Sequence, residues 1–282
     1  MGALIPSEAV AAPAWPTTRR CWAARAGNAL PHLLAMPPGG MAPRGLVVAV
    51  HGISRNAAEH IDLLAPPAAR HGFAVLAPLL SSNAFPRYQR LARGSDGRRP
   101  DHALIDLLDW VRRNHLPPCA PTVLVGYSGG AQFAHRFLLK HPGESSSALL
   151  GAAGWYTWPD PAVRFPYGVG GREEAEERLE AFLRKPIWVA VGSRDTRRDA
   201  HLRISPALDA RQGRTRVARA RNWTRAMAGC AARRGIEPRL ELRLLPGARH
   251  SFSECVAAGL GTMLDEHLSL FAGHEQAERS IA

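Results

Sequence analysis

Lysine is nearly missing from this chain. Lys140 and Lys185 are the only two among 36 basic residues, so almost all of the formal +12 charge is arginine. So lopsided a ratio, beside abundant alanine, points to a GC-rich coding sequence rather than a face built for phosphate. The densest basic stretch, 194–234, is interrupted by Asp195, Asp199 and Asp209, and no aromatic-interleaved basic run or nucleic-acid motif accompanies it. No nucleic-acid partner is expected, and that stretch has no role legible from sequence. Cysteine is also sparse. Cys21, Cys119, Cys230 and Cys255 form no Cys-x-x-Cys pair, which argues against a zinc site or a disulfide framework. No run reaches the ~18 apolar residues of a membrane span. The first twenty residues lack a basic start followed by an apolar core, and Pro13 and Pro16 interrupt them. A cytoplasmic protein without a membrane partner is therefore expected.

What is present is strand–helix alternation. Leu46 to Val50, Phe73 to Ala77, Thr122 to Val125, Ala148 to Ala152, Ile187 to Val191 and Leu240 to Leu245 read as short buried strands. Between them, Ala57 to Arg70, His102 to Asn114, Ala131 to His141, Glu173 to Arg184 and Arg219 to Arg234 carry helical spacing, and Val256 to Ala272 reads as a closing helix. His32 to Met36 is a candidate antiparallel strand. This alternation predicts an α/β fold with a mostly parallel sheet covered by helices on both faces. The organisation expected is an extension with the first strand over 1–45, a catalytic domain over 46–272, and a tail over 273–282. Two stretches lack regular patterning, 78–100 and 155–171. Both follow predicted strands, on the side where open α/β sheets bind ligands.

Gly126-Tyr127-Ser128-Gly129-Gly130 joins a predicted strand to a predicted helix. In a chain with 26 glycines the bare Gly-x-Ser-x-Gly pattern is weak; the strand–turn–helix context makes it a candidate nucleophile elbow. A serine needs a base, and the base an orienting acid. His250, after the last predicted strand, fits the base better than His201 or His267. Asp195, after Ile187 to Val191, fits the acid, with Asp199 and Asp160 as rivals. The order Ser128, Asp195, His250 is that of an α/β-hydrolase sheet. His51-Gly52-Ile53-Ser54 follows another strand, where an oxyanion donor is supplied. The N–H groups of Gly129 and Ile53, the latter favoured over Ser54, are the candidate donors, typically worth roughly 3–4 kcal/mol each in a transition state. His51 itself reads as an anchor of that loop. Trp155, Tyr156 and Trp158 are candidate substrate-binding aromatics.

These segments resemble the α/β-hydrolase superfamily, nearer to polyhydroxybutyrate-depolymerase-like and feruloyl-esterase-like bacterial serine esterases than to lipases. The resemblance runs from about Leu46 to Phe271 and rests on 51–56, 126–137, 154–157, 192–196 and 246–251. It implies Ser128 as nucleophile, Asp195 as acid and His250 as base, acting on a small or oligomeric ester through an acyl-enzyme, with no cofactor and no metal. The alternatives are a hydroxyalkanoate oligomer or polyester depolymerase, a thioesterase, lactonase or amidase on the same machinery, or a non-catalytic binding protein on the same fold. The last would have no need to keep all four site elements together.

Overall fold

The computed structural model describes residues 30–171 and 174–279, with side chains as far as 271. The readings made for 1–29, Cys21 among them, and for 280–282 lie outside the described residues. Seven strands form one sheet: β1 (His32–Ala35), β2 (Gly45–Val50), β3 (Phe73–Pro78), β4 (Thr122–Tyr127), β5 (Ser147–Gly151), β6 (Ile187–Gly192) and β7 (Leu240–Leu245). Their spatial order is β1-β3-β2-β4-β5-β6-β7, with β1 antiparallel to β3 and all other pairs parallel. Every residue of β2, β3, β4 and β5 is buried, as continuous apolar runs such as Leu46-Val47-Val48-Ala49-Val50 require when both faces are covered.

The helices are α1 (Ala57–Arg70), α2 (Pro100–His115), α3 (Gly129–Lys140), α4 (Ala175–Leu183), α5 (Pro206–Gln212), α6 (Arg216–Ala232), α7 (Phe252–Cys255) and α8 (Gly261–Arg279). Right-handed crossovers dictate their sides. The chain steps one way from β2 to β3 and the other way in every crossover from β3 to β7. So α1 covers one face, and α2, α3, α4 and α6 cover the opposite one. The closing helix α8 returns to pack on α1, while α3 meets α4 and α4 meets α6. The direction changes between the neighbours β2 and β4, which makes their carboxyl ends the switch point where such sheets bind ligands. Val50 is the Cα partner of Gly126, so the loop after β2 and the turn after β4 leave the sheet side by side.

Two segments differ from the sequence reading. The stretch 206–212, read as irregular, is α5, with Pro206 at its first turn. The closing element is not one helix from Val256. It starts at Phe252, turns through Val256–Leu260 with Gly259 at φ 127°, and continues in α8 to Arg279, past the boundary expected at 272. Only glycine takes such a φ without strain, and its lack of a side chain left no apolar period for the sequence to reveal.

Candidate active site

The chain leaves β4 through Ser128, whose φ of 53° and ψ of −111° lie outside the regions an L-residue prefers. The flanking glycines are required sterically. A Cβ at Gly126 would lie 2.4 Å from the carbonyl oxygen of Gly130, and one at Gly130 would lie 1.9 Å from that of Val50. The Ser128 N–H donates to Gly151 O at 2.7 Å, and Gln132 N–H donates to Ser128 O at 3.1 Å, tying the turn to β5 and to α3.

His250 comes from the loop after β7. Its Nε2 is 3.0 Å from Ser128 Oγ, and its Nδ1 is 2.7 Å from Asp195 Oδ2. The imidazole lies against the Tyr127 ring, with centroids 5.4 Å apart. Local bonds hold this loop to the one after β6. Arg194 N–H donates to Ala248 O at 2.9 Å and Gly247 N–H to Ser193 Oγ at 2.9 Å. Ser251 caps the next helix, its Oγ accepting from Glu254 N–H, and Glu254 Oε2 accepts from Arg249 N–H at 3.0 Å. The histidine is thus fixed from both sides.

The rival residues are occupied elsewhere. Asp199 Oδ2 and Oδ1 take two bonds from Arg216, at 2.6 and 3.0 Å. Asp160 pairs with Arg211 at 3.1 Å. His201 is exposed, and buried His267 meets Ser147 Oγ at 2.7 Å. Sequence reasoning did not single out Arg216. Its buried guanidinium also donates to Asp195 Oδ1 at 3.2 Å, so Asp195 is shared between Arg216 and His250. No spacing rule links residues 195 and 216; only the return of α6 against β6 brings them together.

Beside the elbow, the loop 51–54 is anchored by His51. Its Nδ1–H donates to Gly52 O at 2.8 Å, and its Nε2 accepts from Leu80 N–H at 3.0 Å. Burial pushes this imidazole down to about 4, so it is neutral near pH 7 and keeps both bonds. Tyr88 adds a third tie, its hydroxyl donating to His51 O at 2.7 Å. Arg55 lies over the Tyr88 ring at 4.5 Å and donates to Phe85 O, closing the segment 78–100 over the loop. A Cβ at Gly129 would sit 3.4 Å from Ile53 N, so the backbones of these two residues adjoin. The first N–H groups of α3 have no partner within the helix. Ile53 presents a 44% exposed side chain at the rim.

The aromatic expectation is corrected. Trp155 is 2% exposed, held between the Tyr167 ring (4.9 Å) and the Arg136 guanidinium (3.9 Å). Tyr156 is fully buried, stacked on Trp223 at 4.5 Å, with its backbone held at both N–H and C=O by Gln212. Neither ring is open to solvent, because burying these large apolar faces is worth more to the fold than exposing them. Trp158 is half-buried against the core. Tyr167, like Phe165, is partly exposed. Tyr167 lines a groove of about 790 Å³ between the loop and α5. Among the described residues one His/Asp cluster has metal-ligand proximity, Asp101, His102 and His141. Its carboxylate already binds Arg99, Lys140 and His141, so cations of the chain itself fill the place of an ion.

No family model matches the chain, and no curated protein is significantly similar to it in sequence. Solved structures are similar. A poly(3-hydroxybutyrate) depolymerase from Bordetella parapertussis superposes with a TM-score of 0.71 at 29% identity, over 86% of this chain and 85% of that one. Poly(aspartic acid) hydrolase-1 from Sphingomonas sp. KT-1 superposes with a TM-score of 0.72 at 25% identity, over 84% and 92%. An S-formylglutathione hydrolase from Agrobacterium tumefaciens shares the fold at 17% identity, with a TM-score of 0.53 over 86% and 88%. The chain has the α/β-hydrolase fold, in agreement with the sheet order and the elbow described above.

Proposed function

We propose that this α/β-hydrolase-fold protein is a serine hydrolase of carboxylic esters, with Ser128 as nucleophile, His250 as general base and acid, and Asp195 as the orienting acid. The observation that carries the reading is the unbroken relay from Ser128 Oγ to His250 Nε2 (3.0 Å) and from His250 Nδ1 to Asp195 Oδ2 (2.7 Å). Three residues from three separate strand ends meet there within hydrogen-bond reach, which a structural serine would not require. Similarity to two hydrolases at 25–29% identity supports the same class.

In this mechanism Ser128 Oγ forms a bond to the ester carbonyl carbon while its proton passes to His250 Nε2. The carbonyl π pair becomes an oxyanion, met by the N–H groups of Gly129 and Ile53. Asp195, accepting from Nδ1–H, holds the imidazole in the tautomer that leaves Nε2 free as base. Collapse of the oxyanion breaks the carbon–oxygen bond to the alcohol, which leaves with the proton from Nε2. A water molecule then gives its proton to Nε2, attacks the acyl-enzyme, and releases the acid and the free serine. The strained φ of Ser128 serves this role by lifting Oγ clear of the sheet end.

Ser128→Ala tests the reading. Turnover of a p-nitrophenyl ester by the purified variant is expected to fall by roughly 10³-fold or more, with the thermal transition near that of the parent. Activity near the parent rate, or failure of the parent to react with a fluorophosphonate probe, would overturn it. Profiling short-chain esters, hydroxyalkanoate oligomers and hydroxycinnamate esters then ranks the substrate classes that share this machinery.

A further inference from the structure

Several arginines on the α5–α6 side have an acid. Arg216 has Asp195 and Asp199, Arg219 has Asp209, Arg198 has Asp209, and Arg211 has Asp160. One group departs from this pattern. Arg90 lies 6.0 Å from the centroid of the Trp155 ring, and Arg203 lies 5.6 Å from that of Tyr167, the ring stacked on Trp155. Two cations therefore flank one stacked aromatic pair, whose Trp155 also contacts the buried guanidinium of Arg136. Among the described residues neither Arg90 nor Arg203 has a carboxylate partner. The Nε of Arg90 is buried without a hydrogen-bond acceptor. Burial and the neighbouring cations Arg203 and Arg87 push the Arg90 guanidinium below its ordinary value. Converging like charges cost free energy unless a ligand of opposite sign relieves them.

The backbone around this patch is rigid and adjoins the elbow. Arg203 O accepts from Arg219 Nη2 at 2.9 Å, and Arg219 Nη1 donates to Gly154 O at 2.6 Å, next to Trp155. Arg90 ends the turn that begins with Tyr88, whose hydroxyl would lie 2.8 Å from a Cβ at Gly129. Arg136 donates to Gln89 O from one turn beyond Gln132, which itself binds Ser128 O. The patch is thus joined to the nucleophile by short segments, and Tyr167 continues it into the groove beside α5.

We propose that Arg90 and Arg203, beside the stacked Trp155–Tyr167 pair, form an anion subsite that selects esters carrying a carboxylate a few bonds from the scissile carbonyl. This rests on the serine-hydrolase reading. The ligand is an anion that planar guanidinium forks can hold, and a carboxylate is the anion an ester substrate can carry near its scissile bond. The acidic end of a substrate would lie between the two guanidiniums.

The test compares the mono-p-nitrophenyl ester of glutarate with its uncharged isostere, p-nitrophenyl 5-methylhexanoate. At low ionic strength the parent is expected to favour the charged ester in kcat/KM by roughly tenfold or more. The double variant Arg90→Gln/Arg203→Gln should lose most of that ratio, whereas Arg113→Gln, an exposed charge removed from α2, should keep it. Equal rates for the two esters in the parent, or an unchanged ratio in the double variant, would overturn the subsite. So would competitive inhibition by inorganic phosphate stronger than that by glutarate. Equilibrium titration with glutarate needs no turnover. Binding by the parent and by Ser128→Ala, but not by the double variant, supports the subsite even if neither ester is hydrolysed, an outcome that would sink only the catalytic reading. No binding to the parent overturns the subsite.

Discussion

Arg216 is the residue whose position has the clearest chemical consequence. A carboxylate that only orients a histidine needs one partner; Asp195 has two, with Oδ2 toward His250 and Oδ1 toward a guanidinium that is itself 1% exposed. The positive charge of Arg216 offsets part of the combined negative charge that Asp195 and Asp199 place beside His250. Asp199 shares the same guanidinium, so removing it would leave two carboxylates near His250 uncompensated. Arg216→Met is therefore expected to lower kcat by roughly 10-fold or more and to move the acidic limb of the kcat/KM profile to higher pH. Arg216→Lys should restore the limb in part, since it returns the charge without the bidentate fork. A variant with reduced activity but an unshifted profile would make Arg216 a structural strut only.

At the scale of elements, the junction between β4 and α3 shows what a motif can and cannot tell. The glycines at 126 and 130 were legible because the turn is local: each faces a carbonyl that any Cβ would strike. Gly130→Ala would bring its methyl to 1.9 Å from Val50 O, so either the elbow or β2 must shift. Overpacking of this kind typically costs about 1–3 kcal/mol, and here the shift would also spoil the adjoining Gly129 and Ile53 backbones. A lowered urea midpoint with turnover down by about 100-fold is expected, in line with the loss of a single oxyanion donor. Gly143→Ala, where nothing lies within 4 Å, should leave both near the parent value. The strands were legible for the same local reason, since buried parallel strands are continuous apolar runs. Elements and contacts that depend on distant partners were not. The helix α5 is short and arginine-bearing, and its Gln212 is buried only because it bonds the Tyr156 backbone across 56 residues. Trp155 and Tyr156 carried the composition of a pocket, yet the return of α6 with Trp223 made Tyr156 core, and Tyr167 and Arg136 cover Trp155.

Across the molecule, four of the histidines buried among the described residues have shifts of one sign. Burial pushes His51 and His267 down to about 4, His60 to about 3, and His135 well below the ordinary histidine value of 6.5. His135 is neutral by construction, with Nδ1–H donating to Ala131 O and Nε2 accepting from Thr157 N–H. Above pH 6.5 these rings are uncharged whether the chain is folded or not, so they leave stability independent of pH. As the pH falls below 6.5 the unfolded chain takes up protons that the folded one refuses, and stability drops until the folded values are reached. Four such groups give a slope approaching about 5 kcal/mol per pH unit well below 6.5, against a total stability of about 5–15 kcal/mol for ordinary domains. The carboxylates Asp101 and Asp199 are held below their usual range by their arginine, lysine and histidine partners. Their stabilising contribution is lost only at more acid pH, so the histidines act first. Urea midpoints followed by tryptophan fluorescence should be flat from pH 8 to 7 and fall steeply between pH 6.5 and 5. His60 lies coplanar on Phe252 at 3.8 Å and has a buried Nδ1 with no partner, so His60→Phe removes one proton site while keeping the ring stack. That variant should lose about a quarter of the slope; a midpoint that stays constant down to pH 5 in the parent would overturn the account.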